Sequence, residues 1–322
     1  MKALVFDRFG GPEVLDYREI PDPVVTGGHV IVSMKAIGLN FADIYRRKGN
    51  YHLQGTPPFI LGYEGAGVVE QVGPGVDGLR AGDRVAFTDV PHANAEKVLV
   101  PADRVIPLPD DISFEQASSV LLQGLTAHYL VHDSYRVKPG DEIVVHAAAG
   151  GVGQLLTQLC KAKGARVFGL TSSEDKKKVA LAAGADEVML YHEDWTGAVP
   201  GWSKDGEGAD AAYDSVGSTL MDSFSVVRTR GAVVFYGMSG GDPAPVDPRM
   251  LMDTSKTLTG GDLWNHVTTK EERIRRADAL FAEIREGRLR LSDPSLYELR
   301  QGAEAHRFLE SRQSTGKILL IP

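Results

Sequence analysis

The sequence is poor in cysteine, with Cys160 as the one thiol among 322 residues. A single cysteine excludes an intramolecular disulfide framework, a four-cysteine structural zinc site and an iron–sulfur cluster held by the chain's own thiolates. A reducing cytoplasmic compartment fits this composition. Cys160 itself is expected in the core, because nothing near it in the sequence indicates a reactive thiol.

Long hydrophobic runs and an excess of positive charge are also absent. No stretch approaches the roughly 18 apolar residues of a membrane span, and Asp7 interrupts the first apolar run too early for a secretory signal. The 35 basic and 43 acidic side chains give a net charge of -8, which provides no broad field for nucleic-acid phosphates. We therefore expect neither a membrane protein nor one whose main partner is nucleic acid.

Short apolar runs separated by glycine and proline fill the N-terminal part of the sequence and predict a β-rich domain. From about residue 125 the order becomes strand, glycine turn and helix, as in a doubly wound parallel sheet, after a helix that opens near Gln123. The strands expected in this sheet are 142–147, 165–171, 187–191, 209–214 and 232–237. A later helix should begin at the capping box Thr268–Glu271 and end at Gly287. The pattern predicts an α/β protein.

The expected strand 142–147 runs into the glycine turn AAAGGVG (147–153), and a helix with an apolar stripe follows. This A-x-x-G-x-x-G pattern is related to the dinucleotide fingerprint and has the strand and helix that the fingerprint requires on either side. Small residues let a pyrophosphate approach the backbone, while the first N–H groups of the helix point at it. The turn therefore predicts a dinucleotide site, with a packing role alone as the alternative.

The end of the second expected strand should face the adenosine ribose of the dinucleotide. A carboxylate there favours NAD, but this strand is followed by Ser172, Ser173 and three consecutive lysines, 176–178. Hydroxyl and ammonium groups can receive a 2′-phosphate, so NADP(H) is the preferred cofactor. The alternative is that the lysines form a solvated helix face, with Glu174 and Asp175 partly offsetting their charge.

Motifs along essentially the whole chain point to one family. They are GGPEVL (10–15), AIGLNFADIYRRKGNY (36–51), LGYEGAGVV (61–69), AGDRV (81–85), SFEQAS (113–118), GLTAHYL (124–130), HAAAGGVGQ (146–154), YDSVG (213–217) and the closing ESRQSTGKILLIP. Together they resemble the zinc-independent, zeta-crystallin-like quinone oxidoreductases of the medium-chain dehydrogenase/reductase superfamily. The resemblance implies a GroES-like β-rich catalytic domain, residues 1–124 and 263–322, a Rossmann domain, residues 125–262, and a cofactor cleft between them.

The resemblance also implies which residues hold the cofactor, NADPH. Asn40 would lie by the nicotinamide ribose and Thr126 near the nicotinamide, with Gly237 and Ser239 beside its amide. The residues expected at the pyrophosphate are Gly150, Gly151 and Val152. The residues expected around the 2′-phosphate are Ser172, Ser173, Lys176, Tyr191 and Arg312. The candidates for the substrate side, where aromatic packing is the alternative, are Tyr45 and Tyr51.

Zinc-dependent members of the superfamily carry a cysteine ligand in the segment that matches Gly38–Asn40 and a histidine ligand in the segment that matches Gly62–Glu64. This sequence has Asn40 and Tyr63 instead, and Glu64 alone cannot make a three-ligand catalytic site. We therefore expect no metal, and an acceptor that takes hydride without a Lewis acid. A quinone or an activated C=C bond meets that requirement.

The main functional expectation is a zinc-independent, NADPH-dependent quinone oxidoreductase. An enoyl-thioester or alkenal reductase is the alternative. The sequence shows no basic cluster clearly placed for a coenzyme A phosphate, and only the run Arg46, Arg47 and Lys48 keeps the thioester alternative open. A non-catalytic NADPH-binding or RNA-binding crystallin-like protein is a further alternative, disfavoured by the acidic net charge. The resemblance also implies a homodimer, joined through strands near KTLTGGDL (256–263).

Two further motifs suggest other chemistry. The segment Gly237–Gly241 satisfies G-x-S-x-G after a strand, with His266 or His306 as a serine hydrolase base, but the prolines that follow argue against the required helix. His128 and His132 stand four residues apart on an expected helix, a spacing that can hold a metal, yet the sequence indicates no third ligand. Packing is the preferred role for these two histidines.

Overall fold

The computed structural model describes residues 1–53 and 55–322, which form two compact units. The first unit contains residues 1–122, 267–282 and 291–322, and the second contains residues 123–266 and 283–290. The first unit thus combines both ends of the chain. No helix in the described part of the chain is long and apolar enough to cross a membrane.

The elements follow one another in the order that the sequence pattern indicates. The strands are β1 (Lys2–Phe6), β2 (Asp16–Glu19), β3 (His29–Leu39), β4 (Phe59–Ile60), β5 (Glu64–Val72), β6 (Arg84–Thr88), β7 (Lys97–Pro101), β8 (Val105–Pro107), β9 (Glu142–Val145), β10 (Arg166–Thr171), β11 (Glu187–Leu190), β12 (Ala209–Asp214), β13 (Val227–Phe235), β14 (Thr257–Gly260), β15 (Ser295–Glu298) and β16 (Ile318–Ile321). The helices are α1 (Phe41–Arg47), α2 (Phe114–Tyr129), α3 (Gly151–Ala162), α4 (Glu174–Ala182), α5 (Trp195–Trp202), α6 (Leu220–Val226), α7 (Pro248–Thr254), α8 (Lys270–Arg285) and α9 (Gly302–Glu310).

The first unit is built mainly from β-sheet. One sheet has the order β2-β1-β4, and the other has the order β15-β16-β3-β5-β6-β8 with β7 also paired to β3. Val30, Val32, Ile37 and Leu39 of β3 are buried in its apolar core, and full burial of each such side chain stabilises the fold by about 1.5–3 kcal/mol. Strand β16 pairs antiparallel with β3, which brings the end of the chain to the middle of this sheet.

The second unit contains a six-stranded sheet of order β11-β10-β9-β12-β13-β14, and all its pairings are parallel. Strands β9, β10 and β12 are almost wholly buried, as expected for the centre of a parallel sheet that helices cover on both faces. The predicted α/β architecture with a doubly wound parallel sheet is confirmed. The chain winds from β9 to β11 in one direction and from β12 to β14 in the other. Ligands of open α/β sheets bind at the carboxyl ends of the strands where this direction changes, here between β9 and β12.

Helix α2 begins earlier than expected. Its start is at Phe114 and not near Gln123, because Ser113 and Gln116 form a capping box. The Gln116 amide donates to Ser113 Oγ (3.1 Å), and the Ser113 amide donates to Gln116 Oε1 (2.9 Å). Gln123 and Thr126 consequently lie inside the helix, and Thr126 is buried there.

Candidate functional site

The glycine turn lies at the point where the winding of the parallel sheet changes direction. After β9 and His146 the chain enters the turn at Ala147, which has a left-handed φ of 48°. The Gly150 amide donates to the Ala147 carbonyl oxygen (2.8 Å), and α3 begins at Gly151. The first N–H groups of a helix lack partners within it and attract an anion.

The glycines of the turn are constrained to different degrees. A Cβ on Gly153 would lie 2.2 Å from the Ala147 carbonyl oxygen, and one on Gly151 would lie 2.1 Å from the Gln123 side chain. Gly150 has φ -75° and ψ 168°, which any residue can adopt, and its Cβ would meet the Ala147 oxygen at 3.1 Å. Packing within the unit therefore explains the absence of a side chain at Gly153 and Gly151, whereas neither the backbone angles nor a severe clash requires glycine at position 150.

Asp214 ends β12 and organises the loop that follows. Its side chain is fully buried, and Oδ1 accepts hydrogen bonds from the amides of Val216 (2.8 Å) and Gly217 (2.9 Å). The other oxygen, Oδ2, accepts from the hydroxyls of Thr219 and Ser223, both at 2.8 Å. One carboxylate thus holds two backbone amides and two hydroxyls at the carboxyl edge of the sheet.

His146 connects this loop to the glycine turn. Its Nε2 lies 3.0 Å from the Ser223 hydroxyl and its Nδ1 lies 3.4 Å from the Tyr191 hydroxyl. The Tyr191 hydroxyl in turn accepts a hydrogen bond from the Ala147 amide (2.8 Å). Burial lowers the pKa of His146 below its ordinary value, against the attraction of Asp214, so the ring is neutral at pH 7.

The pKa of Asp214 is also lowered. Burial by itself would raise it, but the hydrogen bonds from Gly217, Ser223 and Thr219 to the carboxylate favour the charged form. In the first unit, burial and the charge of Arg47 lower the pKa of His306 to about 3.

We expect the free energy of unfolding to decrease as the pH falls from 7 to 5. Below about pH 6.5 the unfolded chain binds protons at its histidines, while buried His306 stays neutral in the folded protein and buried His146, whose pKa is also lowered, binds a proton less readily than in the unfolded chain. Because their folded-state pKa values are lower than the unfolded ones, their stabilising contribution is complete above pH 6.5 and is lost as the pH falls. For His306 the loss is about 2 kcal/mol at pH 5.

Thermal unfolding at a series of pH values measures this effect. His306→Gln should flatten the profile, because a glutamine oxygen can accept the Arg47 hydrogen bond without titrating. A Tm that is the same at pH 7 and pH 5 would contradict the assignment.

The end of β10 is followed by the serines and lysines that the sequence pattern predicts at the 2′-phosphate of NADP(H). Ser172 and Ser173 are exposed, and Ser173 Oγ accepts from the Lys176 amide at the start of α4 (3.4 Å). Lys178 forms an ion pair with Asp175 (2.9 Å), which offsets its charge. Ser172, Ser173 and Lys176 therefore lie together, and their contact with a 2′-phosphate stays a prediction.

The two remaining residues expected at the 2′-phosphate lie on other elements. Tyr191 follows β11, and its hydroxyl supports the glycine turn through the Ala147 amide. Arg312 follows α9 in the first unit and has a left-handed φ of 58°. Their part in phosphate binding also stays a prediction.

Gly237 and Ser239 follow β13 at the carboxyl edge of the parallel sheet. The Ser239 amide and hydroxyl both donate to the Ser215 carbonyl oxygen, each at 3.0 Å, which joins this loop to the one after β12. No helix follows Ser239 directly, since α7 begins at Pro248, and the hydrolase motif therefore lacks its nucleophile elbow.

In the first unit Asn40 lies beside a buried ion pair. The Lys317 ammonium donates to Glu64 Oε2 (2.5 Å) and to Asn40 Oδ1 (2.9 Å), and Asn40 Nδ2 donates to Glu64 Oε2 (3.0 Å). All three side chains are buried. Sequence reasoning does not single out Lys317; its one signal is an isolated lysine directly before the apolar strand β16.

Tyr45 and Tyr51 are brought together, with ring centroids 6.5 Å apart and planes at 69°. The Arg46 guanidinium lies between aromatic rings, 5.0 Å from the centroid of Tyr51 and 3.5 Å from that of Tyr63. These distances are typical of cation–π contacts. Burial raises the pKa of Tyr63 against the opposing effect of Arg46, so its phenol is protonated at neutral pH.

Two of the three side chains of the basic run 46–48 are buried, which argues against this run as a coenzyme A phosphate site. Arg46 and Arg47 are only 2% and 0% exposed. Arg47 pairs with Glu310 (2.5 Å) and donates to His306 Nδ1 (2.9 Å), and Lys48 also pairs with Glu310. Arg47 and Lys48 thus connect the end of α1 to α9 through Glu310.

Asn40, Tyr63 and Glu64 occupy the position at which zinc-dependent members of the superfamily bind zinc. Their surroundings do not fit a zinc ion. The Lys317 ammonium binds Asn40 and Glu64, and the Arg46 guanidinium covers the ring of Tyr63. Two cations at this position oppose a divalent ion. Within residues 1–53 and 55–322, no three His, Cys, Asp or Glu side chains are grouped to hold a metal.

Two family models match the chain. Residues 26–110 match the alcohol dehydrogenase GroES-like domain, and residues 151–281 match the zinc-binding dehydrogenase domain. The predicted pairing of a GroES-like domain with a Rossmann domain is therefore confirmed.

Similar proteins extend over the whole chain. Quinone oxidoreductase of Pseudomonas aeruginosa is 38% identical, with 100% of this chain and 99% of that protein covered. A 2-haloacrylate reductase of Burkholderia sp. is 34% identical, with coverage of 99% and 98%. The crystal structure of Escherichia coli quinone oxidoreductase complexed with NADPH matches with a TM-score of 0.95 and 36% identity, covering 100% of both chains.

Proposed function

Because the chain belongs to the quinone oxidoreductases of the medium-chain dehydrogenase/reductase superfamily, we infer that it is an NADPH-dependent quinone oxidoreductase. The observation that carries this inference is the glycine turn at the switch point of the parallel sheet, where Gly150 leaves the backbone open to a ligand. A quinone oxidoreductase of the same fold binds NADPH in its crystal structure.

When bound, NADPH supplies the hydride that reduces the acceptor. The chain's own residues bind and orient the reactants. We propose that Gly150, Gly151 and Val152 hold the pyrophosphate through backbone N–H groups. The residues proposed to orient the nicotinamide end are Asn40, Thr126, Gly237 and Ser239. Tyr45 and Tyr51 are proposed to face the acceptor, where a phenol can donate a hydrogen bond to the reduced oxygen.

Steady-state oxidation of NADPH and NADH with a simple quinone, in the presence of a chelator, tests the proposed function. We expect rapid turnover with NADPH and slower turnover with NADH. Absence of quinone reduction with NADPH would overturn the proposal.

Lys176→Ala should raise the KM for NADPH and leave the KM for NADH unchanged, because only NADPH carries the 2′-phosphate. Hydrogen bonds to charged groups contribute about 1.5–3 kcal/mol, so the expected increase is about 10- to 100-fold. The measurement is the pair of KM values for the two cofactors. Lys178→Ala is the matched control, since Asp175 already pairs with that lysine. Equal effects of Lys176→Ala on both cofactors would contradict the role.

Reduction of an activated C=C bond is the second candidate activity. The similarity to a 2-haloacrylate reductase favours it. The buried state of Arg46 and Arg47 argues against a coenzyme A thioester bound at that basic run. A crotonyl thioester and a small conjugated acid, assayed beside the quinone, separate these acceptors.

We further propose that the enzyme acts without metal, works in the cytoplasm and forms a homodimer through the region of β14. The absence of a metal is supported by the Lys317 ammonium, which binds Asn40 and Glu64, and by the Arg46 guanidinium, which lies over the ring of Tyr63. A monomeric mass by light scattering would overturn the third. We also propose that the catalytic domain comprises residues 1–124 and 263–322 and the Rossmann domain residues 125–262.

A further inference from the structure

The C-terminal strand places a lysine directly opposite Asn40. In the antiparallel ladder of β16 and β3, Ile318 pairs with Leu39 and Leu319 pairs with Gly38. Continuing the same register by one residue sets Lys317 against Asn40. A charged side chain from the end of the chain thereby reaches a buried position beside the start of α1.

Two donors set the orientation of the Asn40 carboxamide: the Lys317 ammonium, and the Asp43 amide in the capping box that begins α1. An ammonium group only donates, so the Asn40 atom that faces Lys317 must be the accepting oxygen, Oδ1, at 2.9 Å. The amide nitrogen then donates to Glu64 Oε2 (3.0 Å) and to the Gly38 carbonyl oxygen (3.3 Å). A flip of the carboxamide would set its N–H groups against the ammonium.

Glu64 is itself held from the other side. Its Oε1 accepts a hydrogen bond from the Leu122 amide (2.6 Å). The carboxylate also needs the missing side chain of Gly38, since a Cβ there would lie 2.2 Å from Glu64 Oε2. The ammonium therefore has a fixed counter-charge, and the Asn40 carboxamide lies between two anchored groups.

Stability does not explain why this ion pair is buried. Taking both charges out of water costs about as much as their attraction returns, and apolar replacements of such pairs are often neutral or stabilising. We propose that Lys317 is a positioning residue, whose ammonium sets the Asn40 carboxamide in the orientation that binds NADPH. This proposal rests on the NADPH-dependent function proposed above.

The test separates orientation from charge balance. Lys317→Met alone leaves the Glu64 carboxylate buried without its cation, so the double variant Lys317→Met/Glu64→Gln removes both charges. The matched control is Lys97→Met/Glu70→Gln, which removes a pair of the same chemistry at 2.9 Å that is 28% and 34% exposed. For each protein we measure the Kd for NADPH without acceptor, the KM values for NADPH and quinone, and the Tm.

We expect the double variant to keep its Tm within a few degrees and to bind NADPH about tenfold more weakly, as for loss of an outer group that orients a binding residue. The KM for quinone and all values of the control should stay near wild type. In an Asn40→Ala background, the same double substitution should add little further loss, because Lys317 acts through Asn40.

Wild-type NADPH affinity in the double variant would overturn the proposal and leave Lys317 as a counter-charge for Glu64. A loss that is fully additive with Asn40→Ala would also overturn it. If the double variant does not fold, Lys317→Arg serves instead. It keeps the charge, but the larger planar guanidinium changes the geometry of both ammonium contacts, to Asn40 Oδ1 and Glu64 Oε2. Unchanged affinity in this variant contradicts the proposal. Quinone turnover by the wild-type enzyme tests the proposed function independently of these comparisons.

Discussion

Replacing Gly150 with valine is expected to weaken NADPH binding about 100-fold while the protein keeps its fold. The branched side chain would stand where the pyrophosphate must approach the turn and its N–H groups. Loss of two hydrogen bonds to charged oxygens costs about 3 kcal/mol, or about 100-fold in affinity. Quenching of tryptophan fluorescence by NADPH measures the Kd, and quinone turnover should fall with it.

The fold should survive because Gly150 already has backbone angles that valine can adopt. Its Cβ would meet one carbonyl oxygen at 3.1 Å, which a small shift relieves. A less favourable helix cap costs about 1 kcal/mol, or about 2–4 °C in Tm for a domain of this size.

Gly153→Ala is the matched comparison within the same turn. Its Cβ would lie 2.2 Å from the Ala147 carbonyl oxygen, so the backbone of the turn must move. Overpacking of this kind costs about 1–3 kcal/mol, and we expect a larger loss of Tm than for Gly150→Val. If Gly150→Val bound NADPH with wild-type affinity, the turn would have only a packing role.

The parallel sheet could be predicted closely because its information is local. Each buried strand is an apolar run bounded by a turn, and the expected strands 142–147, 165–171 and 209–214 are found at Glu142–Val145, Arg166–Thr171 and Ala209–Asp214. The glycine turn is likewise contained in seven consecutive residues. The sequence pattern places the start of α2 too late, near Gln123. The capping box Ser113–Gln116 is a local signal for the true start, but it lies ahead of the apolar residues that indicate the helix.

Long-range contacts carry the part of the site that the sequence does not predict. Lys317 reaches Asn40 only through the register of β16 on β3, which no local pattern specifies. By composition the run Arg46–Lys48 is typical of a solvated basic patch, yet Arg47 is buried and shares the Glu310 carboxylate, which is distant in sequence, with Lys48. Burial of a charge depends on a partner, and that partner is fixed by tertiary structure.

Asp214→Ala should give the largest loss of stability among these substitutions. It leaves the amides of Val216 and Gly217 without their acceptor, and each unsatisfied buried group costs about 1–3 kcal/mol. Because the contacts to the Thr219 and Ser223 hydroxyls are lost as well, we expect the free energy of unfolding to decrease by about 3–5 kcal/mol and the Tm by about 10 °C. NADPH affinity should fall too, because the loop held by Asp214 and the turn held through His146 lie at the same edge of the sheet.

The two oxygens of Asp214 have different partners, and Asp214→Asn separates them. Its remaining oxygen can replace Oδ1 and accept from the amides of Val216 and Gly217, while its NH₂ group replaces Oδ2 and faces the hydroxyls of Thr219 and Ser223. Those hydroxyls can reverse and accept, whereas backbone amides cannot. The asparagine variant should therefore lose less than half as much Tm as the alanine variant. Equal losses would mean that the negative charge, and not the hydrogen-bonding pattern, maintains this edge of the sheet.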